Sequence, residues 1–186
     1  MRKIVVFASG SGTNAENIIK YFAEKRTATV VMVLTNNPLA KVITKAQNLE
    51  VESVVFSKSE LIEGKVLQII NTIQPDLIVL AGFLLQFPES IIRAYPNKVI
   101  NIHPALLPKY GGKGMYGMNV HKAVVENKEK ETGITVHMVN EHYDEGTILA
   151  QKKVVVLGTD TPEVVAEKVQ DLEQRFFPEI IASLFK

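Results

Sequence analysis

Short apolar runs alternate with stretches of helical spacing through the first hundred residues. Ile4 to Ala8, Val30 to Leu34, Glu52 to Phe56, Asp76 to Ala81 and the Lys98-Val99-Ile100 run read as five strands. Most are continuous rather than alternating, which is how strands covered on both faces of a parallel sheet look. Between the first two, Ala15, Ile18, Ile19, Phe22 and Ala23 recur at helical spacing up to Lys25. Lys41 to Asn48 and Pro88 to Ala94 predict short helices. Ser57 with Glu60 predicts a capping box opening a helix that runs to about Ile73, where Gln74-Pro75 stops it. Strand and helix in strict alternation predict an α/β protein: a Rossmann-like, doubly wound, mostly parallel sheet with right-handed crossovers.

The pattern changes after residue 101. Gly111-Gly112-Lys113-Gly114-Met115-Tyr116-Gly117 is too rich in glycine for regular structure and predicts a mobile loop. Helix resumes over Val120 to Glu126. Gly133 to Val139 then alternates, with Ile134, Val136 and Met138 against Thr135 and His137; a polar turn over Asn140 to Gly146 follows, and Ile148 to Val156 returns. These predict an antiparallel C-terminal addition to the sheet, with Asp144 at its hairpin tip. Thr161-Pro162-Glu163 starts a last helix with a hydroxyl cap, a proline and an acid. Val165, Val169, Leu172, Phe176, Ile180 and Leu184 mark its core face, Gln170 and Glu173 lie on another turn, and Pro178 predicts a kink.

At 186 residues the chain suits one domain, 1–186, long enough to bury roughly 70% of its unfolded surface in a single core. A formal net charge of +1 makes no electrostatic case for nucleic acid or a membrane as partner. With no cysteine, thiolate catalysis and a disulfide framework are excluded. The apolar run Ile4 to Ala8 is too short for a signal-peptide core or a membrane span, so a cytoplasmic protein is expected.

Two stretches bear chemistry. Ser9-Gly10-Ser11-Gly12-Thr13-Asn14 lies between a strand and a helix N-terminus, where free N–H groups and the helix dipole favour an anion. Gly10-x-Gly12-x-x-Ala15 also satisfies a loose dinucleotide fingerprint, but the second strand ends in Thr35-Asn36-Asn37-Pro38 without the acid that would hold a ribose. A Gly-Lys-Ser/Thr triphosphate loop is absent too. A phosphate monoester held by Gly12, Thr13 and Asn14 is the preferred reading; a tight turn that binds nothing is the other. The second stretch is Asn101-Ile102-His103-Pro104-Ala105-Leu106-Leu107-Pro108-Lys109-Tyr110, where Asn101 and His103 project from the place a strand gives way to a proline-stiffened loop. That strand edge is where open α/β sheets keep their chemistry. The apolar loop Gly82 to Pro88 is either core packing or the wall of a pocket for a flat heteroaromatic ligand. His103, His121, His137 and His142 are scattered without ligand spacing, so no metal is expected.

NIHPALLPKY resembles the signature loop of the folate-dependent formyltransferases. The resemblance runs over essentially the whole chain: SGSGTN is similar to that family's phosphate loop, DLIVLAGF to its fourth strand, and TGITVH with YDEG to its hairpin. It implies a formyltransferase fold with a phosphate-binding half over about 1–100 and a folate and catalytic half over about 101–186. It implies transfer of a formyl group from 10-formyltetrahydrofolate to the amine of glycinamide ribonucleotide in purine (IMP) synthesis. Both substrates are small molecules, no metal takes part, and the chain acts as a monomer or homodimer. By resemblance, Asn101, His103 and Asp144 are catalytic. Gly12, Thr13 and Asn14 hold the ribonucleotide phosphate, and Gln170 and Glu173 meet its sugar and amine end. Leu84, Leu85, Gln86, Phe87 and His142, with Asn101, enclose the pterin, and Lys58 loosely matches a basic folate contact. Two departures stand out: Leu85 replaces an Arg found in many members, and GGKGMYG replaces a shorter turn.

Such a transfer needs a donor for the oxyanion, a proton carrier and a charge to set that carrier's state. Asn101 can be the donor, His103 the carrier and Asp144 the charge. Two other readings remain open at this point: a 10-formyltetrahydrofolate hydrolase with water in place of the amine, and a non-enzymatic nucleotide-binding Rossmann module.

Overall fold

The apolar runs form strands that assemble into one sheet. In the computed structural model, which describes residues 1–185, β1 (Arg2–Phe7), β2 (Ala28–Thr35), β3 (Glu52–Val55), β4 (Leu77–Leu80) and β5 (Val99–His103) pair in parallel. β6 (Glu131–Met138) and β7 (Ile148–Val155) then add antiparallel to β5. The order across the sheet is β3-β2-β1-β4-β5-β6-β7. Because β2 and β3 step outward on one side of β1 while β4 and β5 step outward on the other, the loops leaving β1 and β4 diverge. A crevice opens at their C-terminal ends.

Helices cover both faces. α1 (Thr13–Lys25), α2 (Val42–Asn48), α6 (Met118–Glu126) and α7 (Pro162–Ser183) place Ile18, Phe22, Val42, Val124, Val165 and Phe177 in the core beneath Ile4 and Val6. On the opposite face α3 (Lys58–Ile62), α4 (Lys65–Ile73) and α5 (Glu89–Ala94) place Leu61, Val66, Ile70 and Ile91 beneath Val5 and Phe7. Among the described residues no helix is long and apolar enough to cross a membrane.

Two local expectations are corrected. The helix expected from Ser57 to Ile73 is two: the Ser57–Glu60 capping box forms, but Gly64, at φ +90°, ends the first turn and starts α4 at a new angle. β6 does not alternate between buried and exposed, since Thr135 and His137 are as buried as Ile134 and Val136. Its second face is roofed by the loop after β5, so those polar groups sit among partners rather than in water. α7 runs as helix through Pro178. A proline there leaves the Gln174 carbonyl without its N–H partner, and the Asn17 side chain of α1 supplies the hydrogen bond at 2.6 Å, locking the two helices together.

Candidate functional site

At the end of β1 the chain turns through Ser9–Gly12 into α1. Gly12 is left-handed, at φ +69°, and a Cβ on it would lie 2.5 Å from the Cβ of Val42, so no other residue fits without moving α2. No side chain caps α1, which leaves its first-turn N–H groups available at the positive end of the helix dipole. The Asn14 side chain is already engaged: its amide donates to Glu173 at 2.8 Å and its oxygen accepts from Gln174 at 3.1 Å. Asn14 therefore orients Glu173. Burial pushes the Glu173 carboxyl above its ordinary pKa, and the Asn14 bond offsets part of that rise.

The β4 end supplies an apolar wall. Phe87 and Phe83 pack edge-on against Phe7 at 5.1 and 5.4 Å, anchoring the loop from below. Ser9 accepts the Leu84 N–H at 3.0 Å, tying this loop to the first one. Leu84 remains half exposed above. Phe87 is therefore core packing, while Leu84 lines a cavity. Lys58 is exposed at the start of α3 and lies outside the cavity lining.

The third group gathers around Asp144. β5 continues through His103 rather than ending before Asn101, so both side chains leave the same face of a strand, two residues apart. The pairing sets Asn101 opposite His137 and His103 opposite Thr135. The hairpin tip then brings in Asp144, whose backbone is left-handed at φ +57°. Its carboxylate lies 3.5 Å from Asn101 Nδ2, from His103 Nδ1 and from His137 Nε2, and accepts the Gly112 N–H at 2.9 Å. The tight contact is thus to the glycine loop, and the three to Asn101, His103 and His137 are longer.

Hydrogen-bond partners assign the protons. His103 Nε2 lies 2.7 Å from the Tyr110 carbonyl, which only accepts, so Nε2 carries hydrogen and Nδ1 is the titrating atom facing Asp144. His137 Nδ1 lies 2.9 Å from the Met138 carbonyl, so Nδ1 carries hydrogen and Nε2 accepts from Asn101 at 3.1 Å. Burial holds the His103 pKa below its ordinary value, against the Asp144 charge and the Tyr110 carbonyl, which raise it. Burial favours protonated Asp144, but the neighbouring His137 and His103 imidazoles and the Gly112 N–H outweigh it and hold its pKa below the usual range.

His137 is the residue that sequence reasoning missed. As one polar position in an apparently alternating strand it carried no signal; only the β5–β6 register sets it against Asn101. The histidines are not all scattered, since His103 and His137 flank one carboxylate. His121 is buried on α6 as well, and burial, then His103, lowers its pKa.

One cavity of about 670 Å³ joins these parts. Gly12, Thr13, Asn14, Gln170 and Glu173 line it, as do Leu84 to Phe87, Asn101, His103, His142 and Asp144. Among the described residues Lys113 is the one Lys or Arg in its lining, and no three His, Cys, Asp or Glu side chains are grouped to hold a metal ion.

Residues 2–181 match the family model described as formyl transferase. The chain belongs to the formyl transferase family. Among its relatives, the chloroplastic phosphoribosylglycinamide formyltransferase of Arabidopsis thaliana is 36% identical over 98% of this chain, which spans 65% of that protein. The Bacillus subtilis phosphoribosylglycinamide formyltransferase is 33% identical over 99% of this chain and 95% of its own length. A crystal structure of the Bacillus halodurans phosphoribosylglycinamide formyltransferase superposes with a TM-score of 0.90 at 32% identity, covering 100% of this chain and 96% of that one. The α/β architecture of this chain, parallel with antiparallel C-terminal strands, is thus shared with that solved relative over 96% of its length.

Proposed function

We propose that this formyl transferase moves the formyl group of 10-formyltetrahydrofolate onto the amine of glycinamide ribonucleotide, in the cytoplasm, as a step of purine synthesis. The observation that carries the reading is the convergence of Asn101, His103 and Asp144 between a free helix N-terminus and an apolar wall, all in one cavity. The helix end suits a phosphate monoester. The wall of Leu84 and Leu85 suits a flat ring, with the loop's backbone able to read its polar edge. Glu173, oriented by Asn14, lies where it can meet the ribonucleotide's hydroxyl and amine groups.

The reaction forms a bond between the amine nitrogen and the formyl carbon and breaks the bond from that carbon to the folate nitrogen; one proton passes from the amine to that nitrogen. Asn101 keeps one N–H on His137 at 3.1 Å, while its contact to Asp144 at 3.5 Å is loose enough to be exchanged for the carbonyl oxygen. A donor held in that way lowers the barrier by a factor on the order of 10² or more. His103 moves the proton through Nδ1, because Nε2 is tied to Tyr110. Asp144 favours the imidazolium form that stabilises the developing negative charge.

Folate release, followed with and without the ribonucleotide, tests this for the wild type and His103→Ala. Release that requires the ribonucleotide and falls at least about 10²-fold in the variant is the expected result. Release from the folate alone assigns a hydrolase, and no release in either condition leaves a binding module.

A further inference from the structure

Thr135 is fully buried in β6, and neither it nor Gln151 lines the cavity. Yet the Thr135 hydroxyl uses its whole bonding capacity on the loop after β5. It accepts the Leu107 N–H at 3.0 Å, accepts Gln151 Nε2 at 2.9 Å and donates to the Ala105 carbonyl at 2.7 Å. Gln151, its cross-strand partner on β7, also donates to the Leu107 carbonyl at 3.0 Å. Residues 105–107 are thereby pinned from below by two side chains. Three residues further on, the backbone of Tyr110 turns left-handed at φ +57°, while its hydroxyl donates to Glu129 at 2.9 Å. Held at both ends, this segment delivers the Tyr110 carbonyl to His103 Nε2.

We propose that Thr135 and Gln151 are positioning residues that act through the Tyr110 carbonyl: by fixing residues 105–107 they keep the His103 proton on Nε2 and leave Nδ1, beside Asp144, as the one exchangeable position. The proposal rests on the formyl-transfer reading for its kinetic consequences, but the assignment of the tautomer stands on the geometry alone. A ring free to rotate or to change tautomer can present a proton to the wrong side of the cavity, so slack in the loop costs turnover without touching substrate affinity. Four groups face His103: Asp144 from the hairpin, His137 from β6, His121 from α6 and the Tyr110 carbonyl. Only the last moves when the clamp is cut. Because that carbonyl raises the His103 pKa, its loss shifts the imidazolium-dependent limb of the rate profile to lower pH.

Thr135→Val keeps shape and removes the hydroxyl, and Thr135→Ser restores it. For Thr135→Val the expected result is a kcat lower by about 10–100-fold, KM for both substrates within about threefold, and the basic limb of the kcat profile displaced to lower pH. Thr135→Ser returns all three to wild type. ¹⁵N NMR of labelled protein reads the tautomer without turnover: hydrogen on Nε2 of His103 in the wild type, and a mixture of tautomers in the variant. Gln151→Met removes the second arm while leaving the hydroxyl in place, and provides the test should Thr135→Val not fold; it is expected to show the same changes at roughly half the kcat loss. Wild-type kcat with an unchanged His103 tautomer in a folded Thr135→Val or Gln151→Met overturns the proposal. A wild type that transfers no formyl group but shows the tautomer change in the variants overturns the function and keeps the clamp.

Discussion

The two ends of the cavity are built by opposite means. At the α1 end the groups that suit an anion are backbone: a glycine turn and an uncapped helix start, made by consecutive residues 9–14. At the hairpin end the facing groups are side chains, two from β5 and the others, more than thirty residues later, from β6 and the 140–146 turn. The first end tolerates water, since dipoles and N–H groups work half exposed. The second end depends on excluding it, because His103, His137 and Asp144 influence one another through a protein interior. On the proposed function, binding falls to the locally encoded end and proton chemistry to the assembled one.

The largest effect that separates the two ends is expected from Asp144→Asn. Loss of the charge that raises the His103 pKa should lower kcat by a factor on the order of 10²–10⁴ and move the basic limb to lower pH. Ribonucleotide affinity, measured by titration calorimetry, should stay within about twofold; a parallel loss of binding would show that the two ends are not independent.

Gly12→Val reverses the pattern. The forced left-handed backbone costs roughly 1–2 kcal/mol, and the clash with Val42 adds to it. Melting temperature should fall by about 4 °C or more, and KM for the ribonucleotide should rise about tenfold or more with kcat nearly kept. An unchanged KM would remove α1 from the phosphate site.

Glu173→Gln probes the boundary between the ends. The folded pKa of Glu173 lies above the ordinary value for a glutamate carboxyl, so the folded state binds more protons than the unfolded one between those two values. Stability therefore falls as pH rises through the folded value, and the ionised carboxylate is a cost at neutral pH. Thermal melts should show Glu173→Gln more stable than wild type at pH 7.5 and equal to it near pH 4. Its KM for the ribonucleotide should rise, since on the proposed function the carboxylate meets that ligand.

The smallest effect is expected at the wall. Leu84→Ser removes part of an exposed apolar surface, worth about 1 kcal/mol, and should raise KM for the folate about fivefold while leaving KM for the ribonucleotide alone. A change in the latter instead would place the folate elsewhere in the cavity.

Much of this molecule was legible before folding was considered. The five apolar runs, the glycine turn, the Ser57 capping box and the Thr161-Pro162 helix start are set by neighbours within a few residues, and each forms. The single extra residue that broke the pattern, Gly64, was also visible; its left-handed backbone was not.

What the sequence could not decide is what depends on register. Thr135 and His137 read as the polar positions of an alternating strand, and burial of both followed only once the proline loop was laid over β6. The sequence alone supplied Asn101, His103 and Asp144 as chemical types, and a strand to carry two of them. The tertiary structure decided which nitrogen of His103 holds its proton, because that depends on one carbonyl seven residues away. It also decided which amide hydrogen of Asn101 can be exchanged, because that depends on a histidine across the sheet. Local propensity acts over a turn of chain, whereas the charge state of a buried group is set by whatever lies within a few ångströms, however distant in sequence.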